Sequence, residues 1–474
     1  MIFLEKDHLD SREKAMHELN FNTDIYSLGE AKIESPLMRH VKNGRSEKLF
    51  VTDDQRIIAD VRLDNIEDSL TNRKKIVSFD QAGPRKMIYF DPSKLKCAIA
   101  TCGGLCPGLN DIIRSIVLEL FYNYNVRTIY GIKHGLQGLI PEYGHELMDL
   151  TPNGIADILN MGGSILGSSR GHQDIDAVVD CIDRMNIGIL FMVGGDGTLM
   201  ASKKIADEIE KRGLKISVIG IPKTIDNDIY LVSKSFGFDT AVGIATQAIQ
   251  SAHNEARAYP NGIGLIKLMG RHSGFLAATT ALAQQDANFV LVPEVEFNLK
   301  GENGFLSALE NRITQRGHAV VIVAEGAGQH LFKNEDKKRD KKRDKTVDAS
   351  GNEIFQDIGL FMKENIIQWF KAKNIPVSLK YIDPSYIIRS LPANANDSVF
   401  CGFLGREAVH AGMAGKTKLL ISFWNDNYVH IPMDASAGKR KRLDPNGRLW
   451  QSVLEATGQE NYKYLLSVHS KGLL

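Results

Sequence analysis

The sequence predicts an α/β protein made of two doubly wound, Rossmann-like domains with the active site in the cleft between them, plus N-terminal and C-terminal extensions. Short apolar runs of strand length recur at 97–101, 187–193, 216–221, 262–268, 289–292 and 319–324. Polar or glycine-rich turns and helical patterns follow several of them, so strand, turn and helix repeat through most of residues 95–425. Uneven loops and variable strand spacing separate this pattern from a barrel.

At 474 residues the chain is too long for one ordinary core and suggests two domains plus additions, and its texture changes after the polar stretch 1–94. Hydrophobic residues at 43% and charged residues at 24% place it among globular proteins. A net charge of +1 argues against nucleic acid or a membrane surface as partner, so any anion must be held by local clusters. Five cysteines, an odd and sparse set, point to reduced thiols and a cytoplasmic setting. Cys102 and Cys106 have the spacing of half a zinc site, but no second Cys or His pair accompanies them. The first 20 residues are charged, and no run reaches the roughly 18 apolar residues of a membrane span.

Residues 1–94 are polar, with turn signals at Gly83-Pro84 and Asp91-Pro92, and read as an extension wrapped on the main body or on a neighbouring subunit. From 97–101 the chain passes Gly103, Gly104 and Gly108 into a helix over 110–122. Glycines admit close approach of a ligand, and a helix N-terminus offers free N–H groups. Such a turn suits phosphate, although tight packing explains it equally well. A strand over 126–130 follows. Residues 161–171 are rich in glycine and serine and carry Arg170 beside Gly171. That arginine is either an ordinary exposed loop residue or a cation that moves onto a transferring phosphoryl group.

The strand at 187–193 ends in Gly194, Gly195, Asp196, Gly197 and Thr198 before a helix over 199–211. Asp196, an acid between glycines, suits Mg2+ bridging phosphate oxygens better than it suits phosphate itself. The next strand ends in Pro222-Lys223-Thr224-Ile225-Asp226-Asn227-Asp228. On an extended backbone Asp226 and Asp228 face one way and Asn227 the other, a pair able to share proton transfer and cation handling. In isolation the same residues would be a solvated helix cap. Two such turns on consecutive strands line one crevice of an open sheet.

A helix over 239–258 and a strand over 262–268 lead to Met269, Gly270, Arg271, His272, Ser273 and Gly274, a third cationic turn. The strand at 319–324 ends in Glu325. The mixed-sign run 333–345, within an insertion at 331–350, reads as solvated surface because acids interleave the bases without aromatics. Lys380, Tyr386 and Arg389 mix cationic and hydrogen-bonding groups with strand formers. A helix over 396–410 and a strand over 418–423 close the core, and residues from 435 on read as an uninformative polar tail.

The glycine turns, the Mg2+-type acid, the acid pair and Arg170, Arg271 and Arg389 together describe phosphoryl transfer. That reaction needs positioned phosphates, neutralised charge and a base near the accepting hydroxyl. No serine elbow, partnered cysteine or complete dinucleotide fingerprint competes.

In order and spacing, residues 103–110, 194–198, 222–228 and 269–274 resemble the motif series of the 6-phosphofructokinases. The resemblance runs through about residues 95–425 and is nearest the long ATP-dependent form of plants, trypanosomatids and some bacteria. Gly-Gly-Asp-Gly-Thr alone is shared with NAD kinases and lipid kinases, whereas Pro-Lys-Thr-Ile-Asp-Asn-Asp with Met-Gly-Arg is specific. The resemblance implies ATP as co-substrate, Mg2+ as cofactor and fructose 6-phosphate as acceptor at its 1-hydroxyl. It implies Asp226 as the base, Thr224 as a substrate contact, Asp196 and Asp228 in the Mg2+ environment, and Arg271 on the transferring phosphoryl group. Gly103, Arg170, Gly171, Gly195, Asp196, Gly197, Thr198 and Lys223 would surround the nucleotide. Met269, Gly270 and Glu325 would contact the sugar, and Lys380, Tyr386 and Arg389 its 6-phosphate, where short bacterial enzymes have Arg, His and Arg. Gly262 stands where those enzymes place an arginine reaching in from a neighbouring subunit. By the same likeness, 95–238 binds nucleotide, 239–390 binds fructose 6-phosphate, 391–474 returns to the larger domain, and the assembly is a homotetramer.

Two residues speak to the donor. Gly197 leaves space for a nucleotide α-phosphate where pyrophosphate-dependent relatives carry Asp, while Lys223 is the residue those relatives share. Gly197 carries more weight, because a missing side chain permits nucleotide binding and a lysine only adds a phosphate contact. ATP is therefore the expected donor, with pyrophosphate as the alternative. The rival from another class is a non-catalytic sugar-phosphate sensor, which would have lost Asp226, Asp196 or Arg271; all three are present.

Overall fold

The computed structural model describes residues 22–44, 46–336 and 354–460. All six residues of the strand Ile189–Gly194 and all six of Ser217–Pro222 are buried. Strands apolar on both faces need cover on both, which a parallel sheet flanked by helices supplies.

Among the described residues the larger sheet has nine strands. Their spatial order is Arg56–Ile58, Ser78–Gln81, Asn427–Pro432, Leu419–Trp424, Ser217–Pro222, Ile189–Gly194, Lys96–Thr101, Thr128–Ile132 and Met148–Asp149. The five from Leu419–Trp424 to Thr128–Ile132 run parallel. The margins run antiparallel. A second sheet, entirely parallel, has the order Phe289–Leu291, His318–Ala324, Gly262–Leu268 and Ser378–Ile382.

The antiparallel margins depart from pure double winding for local reasons. Asn425 and Asp426 both take positive φ, 46° and 59°, the two-residue turn that joins twisted antiparallel strands. Residues of the N-terminal extension then continue the sheet beyond that hairpin, with Phe79 buried edge-on against Trp424. The described part of the extension is thus built into the main body of its own chain. Most of the run 333–345 lies outside the described residues.

From Lys96–Thr101 the chain moves to Thr128–Ile132 on one side and later to Ile189–Gly194 on the other. The strand order therefore reverses between Lys96–Thr101 and Ile189–Gly194, and the crevice at their carboxyl ends is where an open α/β sheet takes ligands.

Gly262 opens its strand with no room for a side chain, since a Cβ there would lie 2.0 Å from the Ala256 carbonyl oxygen. Gly262→Arg is expected to lose about 1–3 kcal/mol or more through overpacking, read as a lower urea midpoint at unchanged slope. An unchanged midpoint would mean that the helix Phe238–Ala258 does not press on this strand.

Candidate active site

The first turn at the switch point is organised by glycine and by one asparagine. Gly103 takes φ +82°. Its N–H donates to the Ser169 carbonyl at 3.1 Å and its own carbonyl accepts from Ser168 Oγ at 2.5 Å. Asn110, in the helix Leu109–Leu118, pins the same loop, donating to the Met161 carbonyl and accepting from Ile165 N, both at 2.9 Å. The loop carries Arg170, exposed, and Gly171, which bends back at φ +100°.

Three cations converge on this turn. The guanidinium nitrogens of Arg170 and Arg389 lie 3.6 and 3.8 Å from where a Cβ on Gly104 would stand, and Lys223 Nζ 3.7 Å from the same point on Gly103. Lys223 is 5% exposed, its ammonium donates to the Gly104 carbonyl, and burial pushes its pKa down. Cations gathered from three separate segments against glycine backbone have the chemistry to receive an oligophosphate.

The second turn starts the helix Asp196–Lys211, with Gly195 at its N-cap and Thr198 N donating back to the Gly195 carbonyl at 2.9 Å. Among the described residues, a Cβ on Gly197 would meet nothing within 4 Å. The acid at the head of the helix, Asp196, faces the third turn: its charge helps raise the pKa of Asp228.

That third turn is not extended. Asn227 takes φ +52°, and its side-chain oxygen accepts from Ser235 N at 3.1 Å, an asparagine-stabilised bend. The expected alternation of Asp226, Asn227 and Asp228 is therefore replaced by a turn clasped by Thr224. The Thr224 hydroxyl accepts from Asp226 N at 3.1 Å and donates to Asp228 Oδ1 at 3.2 Å. The two carboxylates still act on one another. Asp226 is pushed up to about 7 by burial first, then by the charges of Asp228 and Glu325, against the Arg271 N–H and Lys223.

Glu325 belongs to the second sheet, so the cleft is closed by turns from both. Glu325 N donates to the Leu268 carbonyl at 2.9 Å and Gly326 N to the Gly270 carbonyl at 3.0 Å, laying one turn along the other. Gly270 takes φ +128°, which a side chain rarely adopts, and Met269 before it packs on the core. Ser273 Oγ donates to the Asp226 carbonyl at 3.0 Å, and the Arg271 guanidinium lies 4.9 Å over the Phe355 ring. Half-buried His272 is driven down to about 4 by burial, then by Arg440, Arg271 and Arg442, so it stays neutral in this cationic field.

The structure separates one group the sequence placed together. Arg389 stacks 4.6 Å over Tyr386, itself 75% exposed, while the Lys380 ammonium lies 4.9 Å over Tyr259, ahead of the strand Gly262–Leu268. Lys380 thus points away from the turns that gather the other residues. The reading of residues after 435 as an uninformative tail is overturned: Gly438 N donates to Asp196 Oδ1 at 2.9 Å, and Arg440 bridges in register with Ile229. The signal was there as the basic run Lys439-Arg440-Lys441-Arg442.

Fold and site together have the make-up of a phosphotransferase cleft, with clustered cations at glycine turns on one side and a coupled carboxylate pair on the other. The phosphofructokinase family profile matches residues 96–412. The ATP-dependent 6-phosphofructokinase of Borreliella burgdorferi is 51% identical over 93% of this chain and 97% of its own. The enzyme of the same description from Amycolatopsis methanolica is 44% identical over 91% and 94%. ATP-dependent 6-phosphofructokinase 1 of Arabidopsis thaliana is 43% identical over 84% and 82%. Among solved structures, a pyrophosphate-dependent phosphofructokinase from Marinobacter aquaeolei superposes with a TM-score of 0.62 at 20% identity, over 77% of this chain and 91% of that one, a likeness of fold. The chain belongs to the phosphofructokinase family.

Proposed function

We infer that this chain transfers the terminal phosphoryl group of ATP to the 1-hydroxyl of fructose 6-phosphate, giving fructose 1,6-bisphosphate and ADP, a glycolytic step. The observation that carries the reading is Asp226: a half-buried carboxylate where turns of both sheets meet, pushed up to about 7 by desolvation and then by the charges of Asp228 and Glu325. Such a group takes up a hydroxyl proton at neutral pH and is far more basic than an exposed aspartate.

In this reading Arg170 and Lys223 hold the donor phosphates over Gly103 and Gly104, Arg389 with Tyr386 meets the sugar 6-phosphate, and Arg271 stabilises the moving phosphoryl group. Thr224, Met269, Gly270 and Glu325 position the sugar. Asp196 and Asp228 fit Mg2+, being two hard carboxylates close enough to influence one another; that ion commonly takes one or two carboxylates and completes its shell with phosphate and water. When bound, it would neutralise charge on the phosphates. The larger sheet would serve the nucleotide and the smaller the sugar phosphate, in a cytoplasmic homotetramer. Among the described residues no helix is long and apolar enough to cross a membrane.

Assay of fructose 6-phosphate phosphorylation with ATP and with pyrophosphate tests the reading. Product is expected with ATP, and activity with pyrophosphate alone would overturn the donor assignment.

The same base sets the acid side of the pH profile. A carboxylate must be unprotonated to accept a proton, so kcat/KM for fructose 6-phosphate should fall tenfold per pH unit below about 7 and level off above it. A limb centred instead near the ordinary carboxylate value of about 4 would remove Asp226 from that role.

A further inference from the structure

The chain beyond the last strand of the larger sheet crosses the cleft as a strap. At its near end Gly438 N donates to Asp196 Oδ1 at 2.9 Å, and Lys441 N donates to the Asp228 backbone carbonyl at 2.8 Å. Lys441 Nζ donates to the carbonyls of Val232 and Ser233 at 2.7 and 3.1 Å. At its far end Leu443 N donates to Glu294 Oε1 at 2.9 Å, the same oxygen that accepts from Gly274 N at 3.0 Å. The following helix, Arg448–Thr457, packs on the helix Phe275–Ala283 and the strand Phe289–Leu291 of the smaller sheet. Residues 438–443 are therefore tied to the phosphate-side turns at one end and to the sugar-side elements at the other.

Between these anchors the Arg440 guanidinium sits beside two carboxylates. Its Nε lies 3.9 Å from Asp196 Oδ2 and its Nη1 4.0 Å from Asp228 Oδ2, with side chains 30%, 19% and 15% exposed. Both separations exceed hydrogen-bond length, so the interaction is charge on charge in a partly desolvated place. Without a cation the two carboxylates would repel. A divalent ion with a preference for hard oxygens competes for the same atoms, and a guanidinium it releases has the planar fork that phosphate oxygens accept.

We propose that Arg440 is a positioning residue of the phosphoryl-transfer site. It holds Asp196 and Asp228 together in the metal-free enzyme and turns to the nucleotide phosphates when a divalent cation takes those carboxylates. The proposal rests on the function inferred above, but its test needs no turnover.

The full chain, as wild type, Arg440→Ala and Arg440→Lys, is titrated with Mn2+ alone, with bound metal read by electron paramagnetic resonance. It is then titrated calorimetrically with ATP at saturating Mn2+ and with fructose 6-phosphate. Arg440→Ala is expected to bind Mn2+ at least about fivefold more tightly and, at saturating Mn2+, ATP at least about fivefold more weakly, with Arg440→Lys between it and wild type. Fructose 6-phosphate affinity should stay within about twofold. Unchanged Mn2+ affinity, unchanged ATP affinity or no measurable Mn2+ binding in Arg440→Ala overturns the proposal. If that variant also loses fructose 6-phosphate, the strap has come away, and Arg440→Gln is titrated in its place; the same two shifts support the proposal, and an unchanged affinity for either ligand overturns it. A wild type that makes no fructose 1,6-bisphosphate would count against the inferred function and leave these affinities to decide the role of Arg440.

Discussion

Asp226→Asn should keep the affinities for fructose 6-phosphate and for nucleotide within a few-fold while turnover falls by about 10²- to 10⁴-fold, the range for a lost general base. The substitution is nearly isosteric, and the contacts that shape the turn survive it. Thr224 Oγ1 accepts from the residue 226 backbone N–H and Ser273 Oγ donates to its carbonyl, neither of which involves the side chain. Asp226 Oδ1 is buried with no hydrogen-bond partner among the described residues, and an amide beside Asp228 and Glu325 would relieve repulsion. The variant should therefore be at least as stable as the parent at neutral pH, so lost turnover would be chemistry and not unfolding. Steady-state kinetics with equilibrium binding of both substrates checks this, and near-normal turnover would sink the assignment of Asp226 as base.

How far the sequence discloses this site depends on where each residue's partners lie. The strand at 262–268 keeps the bounds read from its apolar run, although the alternation expected there gives way to almost continuous burial under packed helices, and the glycine turns are legible because close approach of backbone to ligand needs glycine in any context. The bend at Asn227 escapes a reading that takes the stretch as extended. An asparagine between two aspartates tolerates the left-handed region, and that composition is the available signal. The strap escapes because its contacts are remote: Gly438 meets an aspartate 242 residues earlier in the chain. Four successive basic residues on a polar tail look alike whether they face solvent or two shielded acids. Sequence order groups Lys380 with Arg389, yet its strand aims it toward Tyr259.

Gly197→Asp should abolish use of ATP and leave the fold intact. The two halves of that expectation rest on separate facts. A Cβ at Gly197 meets nothing within 4 Å among the described residues, and its backbone is not in the left-handed region, so they leave room for the side chain. It also lies in the first turn of the helix Asp196–Lys211, where a negative charge is favoured by the helix dipole by a few tenths of a kcal/mol. Thermal unfolding should therefore be unchanged or slightly later. For the nucleotide the same open space is the point, because an aspartate about 4 Å from an α-phosphate charge costs roughly 4 kcal/mol at an effective permittivity near 20. That is about a thousandfold in affinity before any steric exclusion is added. Pyrophosphate has no α-phosphate beyond the transferring pair and should not meet this penalty. Lys223, buried at the Gly104 carbonyl, would remain to hold it. ATP kinetics that survive in a stably folded Gly197→Asp protein would place the donor pocket away from the turn at residues 194–198.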